Sequence, residues 1–313
     1  MEMEKIDSVY LINQFKEDCK LRDMTKETIR SYISELRIFS TFLQKNKIHI
    51  LDIHNEALEQ FLKYLRETRG NSQSRIENYF SALSSFYDFL LYKGKVSKNI
   101  ILPFRKRYLK RYKNDNPAAI RKLISVEDMS SLINSIIPIR DKAIAILLAK
   151  TGIRRGELLG IDLDDLKLEE GYIELKPFHK RSNRIVYFDE ETEIVIKKWL
   201  KRRKKLVNNG VTSLFVNDYG KPLGRSGVYN AVVGWAKKLG FYDENSEKLG
   251  DHFSCHNFRH WYTTWLLRSG MSREYVKEVR GDRRGEAIDI YHHIDHEDLK
   301  KTYLACIPKL EIF

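Results

Sequence analysis

The chain has 313 residues, 42% of them hydrophobic and 12% aromatic, which excludes a disordered tail and allows two ordinary domains, each with its own core. Its formal net charge of +13 and pI of about 9.4 point to a polyanionic partner, most simply nucleic acid; the plainer alternative is a coat of solvated lysines. Cys19, Cys255 and Cys306 form neither a disulfide framework nor a CxxC zinc pattern, MEMEKIDSVY lacks signal-peptide character, and no apolar run approaches the roughly 20 residues of a membrane span, so a reducing, cytoplasmic setting is expected.

In chain order, apolar residues recur at helical spacing from Val9 to Leu21. Thr25 is a plausible N-cap for a second helix carrying Ile29, Tyr32, Leu36, Phe39 and Leu43. Asn55 is expected to cap a third with Leu58, Phe61, Leu62 and Leu65, and a fourth carries Ile76, Tyr79, Phe80, Leu83, Phe86, Tyr87 and Leu90. The aromatics in these stripes read as core packing rather than base-stacking platforms, and four short-looped amphipathic helices predict a small bundle. Residues 103–122 are dense in Lys and Arg, carry an Asn/Asp/Pro turn cluster and show little periodicity, so they read as an interdomain linker. Arg105, Lys106, Arg107, Lys110 and Arg111 would lie along phosphates, or the segment is a solvated tether.

A second domain opens at the capping-box pattern SVED, 125–128, and an apolar helix over 141–152 stops at Gly152. GYIELK (171–176) and RIVYFD (184–189) have strand character, joined by a basic loop; a very basic helix ends near 206, and more helices follow. The expectation is a mainly α protein: a four-helix bundle over 1–104, a basic linker over 105–122, and a mostly helical domain over 123–313 with a small antiparallel β-sheet.

Three stretches of the second domain carry chemistry. In TGIRRGELLGI, 151–161, Arg154 stands at the turn into a helix, where backbone N–H groups and a guanidinium together suit an anion; Glu157 follows one turn on. In HNFRHWY, 256–262, His256 and Arg259 share a helix face, where one would hydrogen-bond a phosphate oxygen and the other grip it. His252, Cys255, His256 and His260 also read as metal ligands, as do His292, His293 and His296 in DIYHHIDHEDL, 289–299, which contains Tyr291.

In this order and spacing the stretches resemble the catalytic domain of the tyrosine recombinases, the phage-integrase family, including its Xer and archaeal integrase-like members. The first family box, T-G-hydrophobic-R-x-x-E-L, is Thr151, Gly152, Ile153, Arg154, Glu157, Leu158; the second, H-x-L-R-H, is His256, Asn257, Phe258, Arg259, His260. Tyr291 follows Asp282 by nine residues, as the family's nucleophile follows a histidine or tryptophan after a Gly-containing turn. The family's hairpin-loop lysine is best matched by Lys180, with Lys176 an alternative because the loop is one residue short. The first hundred residues and the basic stretch look like the family's core-binding domain and linker.

The resemblance implies a site-specific DNA recombinase. Arg154 and Arg259 would stabilise a pentavalent phosphorane and favour the tyrosinate over a phenol of pKa about 10. Tyr291 would form a 3′-phosphotyrosyl bond, Lys180 would protonate the leaving 5′-oxygen, and His256 would assist by hydrogen bonding or proton transfer. Glu157, His260 and Asp282 are further candidates for active-site support. No metal, ATP or other cofactor is implied; the implied partners are a double-stranded recombination site and further copies of the chain, four on two duplexes through a Holliday junction. A C-terminal segment handed to the neighbouring protomer is expected for the apolar end IPKLEIF, against packing on its own domain.

One position departs from the pattern. A carboxylate accepts hydrogen bonds and repels phosphate, so Asp282 is expected to orient a catalytic arginine or His256 while Arg283 or Arg284 supplies positive charge. The departure leaves room for an inactive DNA-binding protein. A type IB topoisomerase and a zinc-dependent enzyme are the other readings.

Overall fold

The computed structural model describes residues 8–109, 123–177, 184–207, 210–246, 249–282 and 294–312. The chain divides into two units, Met1–Asp115 and Asn116–Phe313. Among the described residues are thirteen α-helices and one three-stranded antiparallel sheet, and no helix is long and apolar enough to cross a membrane.

The first unit packs α1 (Ser8–Leu21), α2 (Lys26–Lys45), α3 (Asn55–Lys63), α4 (Gln73–Tyr92) and α5 (Ile101–Tyr108) around one apolar core. Phe15, Phe39, Phe61, Tyr79, Phe80 and Phe86 are all buried, so the aromatic stripes are core. The Thr25 hydroxyl accepts from the Thr28 amide, as its position predicts. At α3 the cap is His54, whose Nδ1 accepts from the Ala57 amide, and Asn55 is the first helical residue.

The fifth helix corrects the expected start of the linker. Ile101, Phe104 and Tyr108 recur at helical spacing, Phe104 stacks on Phe80 at 5.3 Å, and the Tyr108 hydroxyl donates to Glu59. Pro103 is tolerated because it falls in the first turn, where its missing N–H has no intrahelical partner to lose. Arg105 is drawn back onto the bundle, donating to the hydroxyls of Ser81 and Ser84, whereas Lys106 and Arg107 are exposed. Lys110 and Arg111 lie outside the described residues.

In the second unit α7 (Ile139–Thr151) is buried along nearly its whole length, as a helix apolar on every side requires. Around it pack α6 (Val126–Asn134), α9 (Glu190–Arg203), α10 (Arg225–Lys238), α11 (Cys255–Arg268) and the strand β3 (Arg184–Tyr187). The sheet pairs β1 (Leu166–Lys167), β2 (Tyr172–Leu175) and β3 (Arg184–Tyr187) in that order, with Tyr172 opposite Tyr187 and Leu175 opposite Arg184. The short α8 (Arg155–Leu159), α12 (Arg273–Arg280) and α13 (His296–Cys306) complete the unit. Ser125 caps α6 as read from sequence, and Asp295 caps α13.

The C-terminal tail, expected to leave for a neighbour, is docked on its own unit in this chain. Leu310 and Ile312 are buried, and their amides donate to the Glu191 carboxylate. The Leu310 carbonyl accepts from Ser130, and the Pro308 carbonyl from the ammonium of the fully buried Lys150. Lys150 also pairs with Asp189 and Glu191, both at 2.5 Å. A buried cation needs such partners, and the tail carbonyl completes the set. Removing residues 299–313 also removes Leu299 and Tyr303 from the core. At about 1.5–3 kcal/mol for each buried large side chain, this truncation is expected to unfold the second unit rather than only impair assembly. A truncated chain melting within about 3 °C of the full chain would contradict this.

Candidate active site

Arg154 and Arg259 come from different elements, and the local sequence explains how each is presented. Helix α7 ends in the left-handed Gly152 (φ 59°), where a Cβ would also run into the Tyr262 ring, so glycine is required twice over. The chain then turns, and Arg154 is the N-cap of α8; its amide donates to Glu157 Oε2 at 2.7 Å. Arg259 lies in the first turns of α11, and its side chain is only 5% exposed.

Two acceptors gather these guanidinium groups. The backbone carbonyl of Arg280, the last residue of α12, accepts from Arg259 Nη2 at 2.9 Å and from Arg154 Nη1 at 3.3 Å. A helix C-terminus offers such unpaired carbonyls to cations. Arg259 Nη1 donates in addition to the Gly152 carbonyl at 2.8 Å. Beyond Arg280 the chain reverses through the left-handed Gly281 (φ 60°), where a Cβ would approach the Arg184 guanidinium to 2.5 Å. This brings back Asp282, whose Oδ1 lies 3.2 Å from Arg259 Nη2 and 3.6 Å from Arg154 Nη2. Burial, with the like charges of Arg154 and Arg280, pulls the Arg259 guanidinium down to about 10, still protonated at neutral pH.

Arg154, Arg259 and His256 line one pocket of about 350 Å³, together with Tyr229 and Cys255. Burial pushes the Cys255 thiol up, with Arg155 opposing, so no thiolate competes as nucleophile there. His260 is exposed and does not line this pocket. Among the described residues no group of three or more His, Cys, Asp or Glu could hold a metal; His252, Cys255, His256 and His260 do not form one. His252 instead stacks on Tyr242 at 5.1 Å, and His296 Nδ1 pairs with the Tyr187 hydroxyl.

Beneath the arginines lies a pair that the sequence reading did not single out. Glu157 and Arg184, both side chains 3% exposed, meet fork to fork through two contacts of 3.0 Å. Arg184 Nε donates to the Val279 carbonyl, tying the first residue of β3 to α12. Burial pushes the Glu157 carboxyl up, but Arg184 and Arg154 outweigh it and hold it below the usual range. The available signal was an arginine in strand register with the buried Val186, which requires a buried carboxylate partner.

Lys176 is held at 2.5 Å from Asp162 and 3.0 Å from Asp165, and these hydrogen bonds raise its ammonium above the ordinary value. It is thus engaged with these two carboxylates. Lys180, Tyr291, His292, His293, Arg283 and Arg284 lie outside the described residues.

Comparison with known proteins gives a consistent picture. The family described as Phage integrase family matches residues 120–298, and the Phage integrase, N-terminal SAM-like domain, matches residues 11–94. The chain is 28% identical over 288 residues to the tyrosine recombinase XerC of Vibrio cholerae, spanning 90% of this chain and 87% of that one. With XerC of Thermodesulfovibrio yellowstonii it shares 29% identity over 307 residues, spanning 94% and 95%. Among solved structures the fold resembles the Tn1549 transposon integrase in complex with transposon right end DNA (TM-score 0.67, 18% identity, 93% of this chain and 97% of that one). It also resembles the XerH site-specific recombinase bound to difH substrate (TM-score 0.63, 22% identity, 94% and 83%).

Proposed function

The chain belongs to the phage integrase family, and on that premise we propose that it is a site-specific recombinase that cuts and rejoins DNA through a covalent bond to Tyr291. The observation that carries this reading is the meeting of Arg154 and Arg259 on the Arg280 carbonyl and the Asp282 carboxylate, beside His256 in one pocket. Two fixed guanidinium groups suit the non-bridging oxygens of a phosphodiester and stabilise the added charge of a pentavalent phosphorane.

In the proposed reaction the Tyr291 oxygen attacks phosphorus and passes its proton to His256 or to water. The bond to the 5′-oxygen breaks, and that oxygen takes a proton from Lys180. His256 hydrogen-bonds the phosphate or relays a proton. The product is a 3′-phosphotyrosyl linkage and a free 5′-hydroxyl. Attack by a 5′-hydroxyl of a second duplex reverses the step, so the bond energy is conserved without ATP. Exchange of strands between two duplexes through a Holliday junction, by four copies of the chain, completes the reading. The relatives named recombinases and the integrase and recombinase structures solved with DNA support it, as does the net charge of +13. Lys106 and Arg107, exposed on α5, are proposed phosphate contacts.

The test uses nicked duplexes carrying the flanking repeats of the chain's own genomic neighbourhood, which lose the cut end and trap the intermediate. The parent is expected to give a denaturant-resistant protein–DNA adduct, in EDTA as well, and Tyr291→Phe none. An adduct that persists undiminished in Tyr291→Phe would overturn the assignment.

A further inference from the structure

Arg280 belongs to neither sequence box, yet it stands at the centre of the site. Its carbonyl holds both Arg154 and Arg259, and its own guanidinium reaches the same carboxylate: Arg280 Nε lies 3.2 Å from Asp282 Oδ2. Three guanidinium groups therefore surround Asp282, Oδ1 facing Arg154 and Arg259 and Oδ2 facing Arg280. The Arg280 Nε contact is an ion pair without hydrogen-bond geometry, and this buried N–H has no hydrogen-bond partner among the described residues. A buried donor without an acceptor beside an anion site is a group that an arriving oxygen would satisfy.

We propose that Arg280 is a third phosphate-binding cation of this site and that Asp282 is the positioning residue that lets three arginines stand together. This rests on the recombinase reading above. Three guanidinium groups against one carboxylate leave two positive charges, which matches the two negative charges of a pentavalent phosphorane better than the single charge of the diester. The like charges of Arg154 and Arg280 weaken the hold of Arg259 on its proton, and Asp282 counters them. Asp282 and Arg280 together then occupy the place where the family has a neutral donor, a histidine or tryptophan. The carboxylate that looked unsuited to phosphate is the counter-charge that permits an extra arginine.

The experiment has two readouts. The first is the affinity of the full chain for inorganic phosphate, by calorimetry, which is independent of cleavage. Arg280→Gln is expected to weaken it at least about tenfold and Arg280→Lys less, since lysine keeps the charge but not the fork. Asp282→Ala is expected to weaken it too, and Asp282→Asn, which keeps an acceptor oxygen, to recover part of the loss. The second is the rate of adduct formation on nicked duplex, where Arg280→Gln should cost about 10- to 100-fold. Combining it with Asp282→His should regain at least about tenfold by restoring a neutral donor, a rescue that a structural role for Arg280 would not give. Unchanged phosphate affinity in a folded Arg280→Gln, or an equal loss of cleavage with and without Asp282→His, would overturn the proposal. Absence of a Tyr291-dependent adduct in the parent would instead sink the recombinase reading, and phosphate affinity would still decide the role of Arg280.

Discussion

Replacing Arg259 by alanine is expected to slow adduct formation about 10³-fold, at the upper end of what one lost oxyanion donor costs, while DNA affinity falls less than about tenfold. The reason is geometric. Arg259 is 5% exposed and its three fixed contacts, to the Gly152 carbonyl, the Arg280 carbonyl and Asp282, hold the guanidinium before any substrate arrives. A preorganised charge does not have to be reoriented at the moment of reaction, so its loss falls on the transition state rather than on binding. Lysine should rescue little, because one ammonium cannot reach both carbonyls and a phosphate oxygen. Nicked-duplex cleavage and equilibrium binding, measured on the same preparations, separate the two effects. A proportional loss of binding would mean that Arg259 only anchors DNA.

Removing Glu157 should destabilise the second unit strongly. Glu157→Ala leaves Arg184 charged and unpaired at 3% exposure, with Arg154 released from its cap, and a broken buried pair of this kind costs about 3–5 kcal/mol. Glu157→Gln keeps the shape and loses less. The same carboxyl sets an acid limb. The folded protein holds Glu157 below the ordinary carboxylate value, so the pair's contribution is fully present above about pH 4.5 and is lost as pH falls below it. Glu191, pushed up by burial but held down more strongly by Lys150 and the Leu310 and Ile312 amides, has the same sign. Thermal melts from pH 7 to pH 3 should fall more shallowly for Glu157→Gln than for the parent. Parallel curves would contradict the assignment.

Much of this site was legible because its positions are set by local chemistry. Gly152 must be glycine to end α7 in the left-handed region under Tyr262, and that fixes where Arg154 begins the next helix. Thr25 and Ser125 were readable as caps because each satisfies the amide three residues on. What escaped depends on contacts distant in sequence. The stripe of α5 was hidden by Pro103 and a run of basic residues, and only Phe80 shows that Phe104 is core. Arg184 was legible only as the first residue of a strand, and its pairing with Glu157 joins residues 27 apart in sequence. Asp282 was expected to orient a catalytic arginine, and it does face Arg259; its contact with Arg280, a residue in no motif, was not legible, and Arg283 and Arg284 lie outside the described residues. The tail's apolar sequence announced that it packs somewhere; that Lys150 and Glu191 hold it on its own unit depends on a buried cation no spacing reveals.

In the proposed reaction Tyr291 joins the 3′-phosphate of a cut strand. Peptide mapping by mass spectrometry of the trapped adduct, after nuclease and protease digestion, tests it most directly. The expected result is a single modified peptide containing Tyr291, carrying a nucleotide through its 3′-phosphate. A nucleotide attached to any other residue, or through a 5′-phosphate, would contradict it.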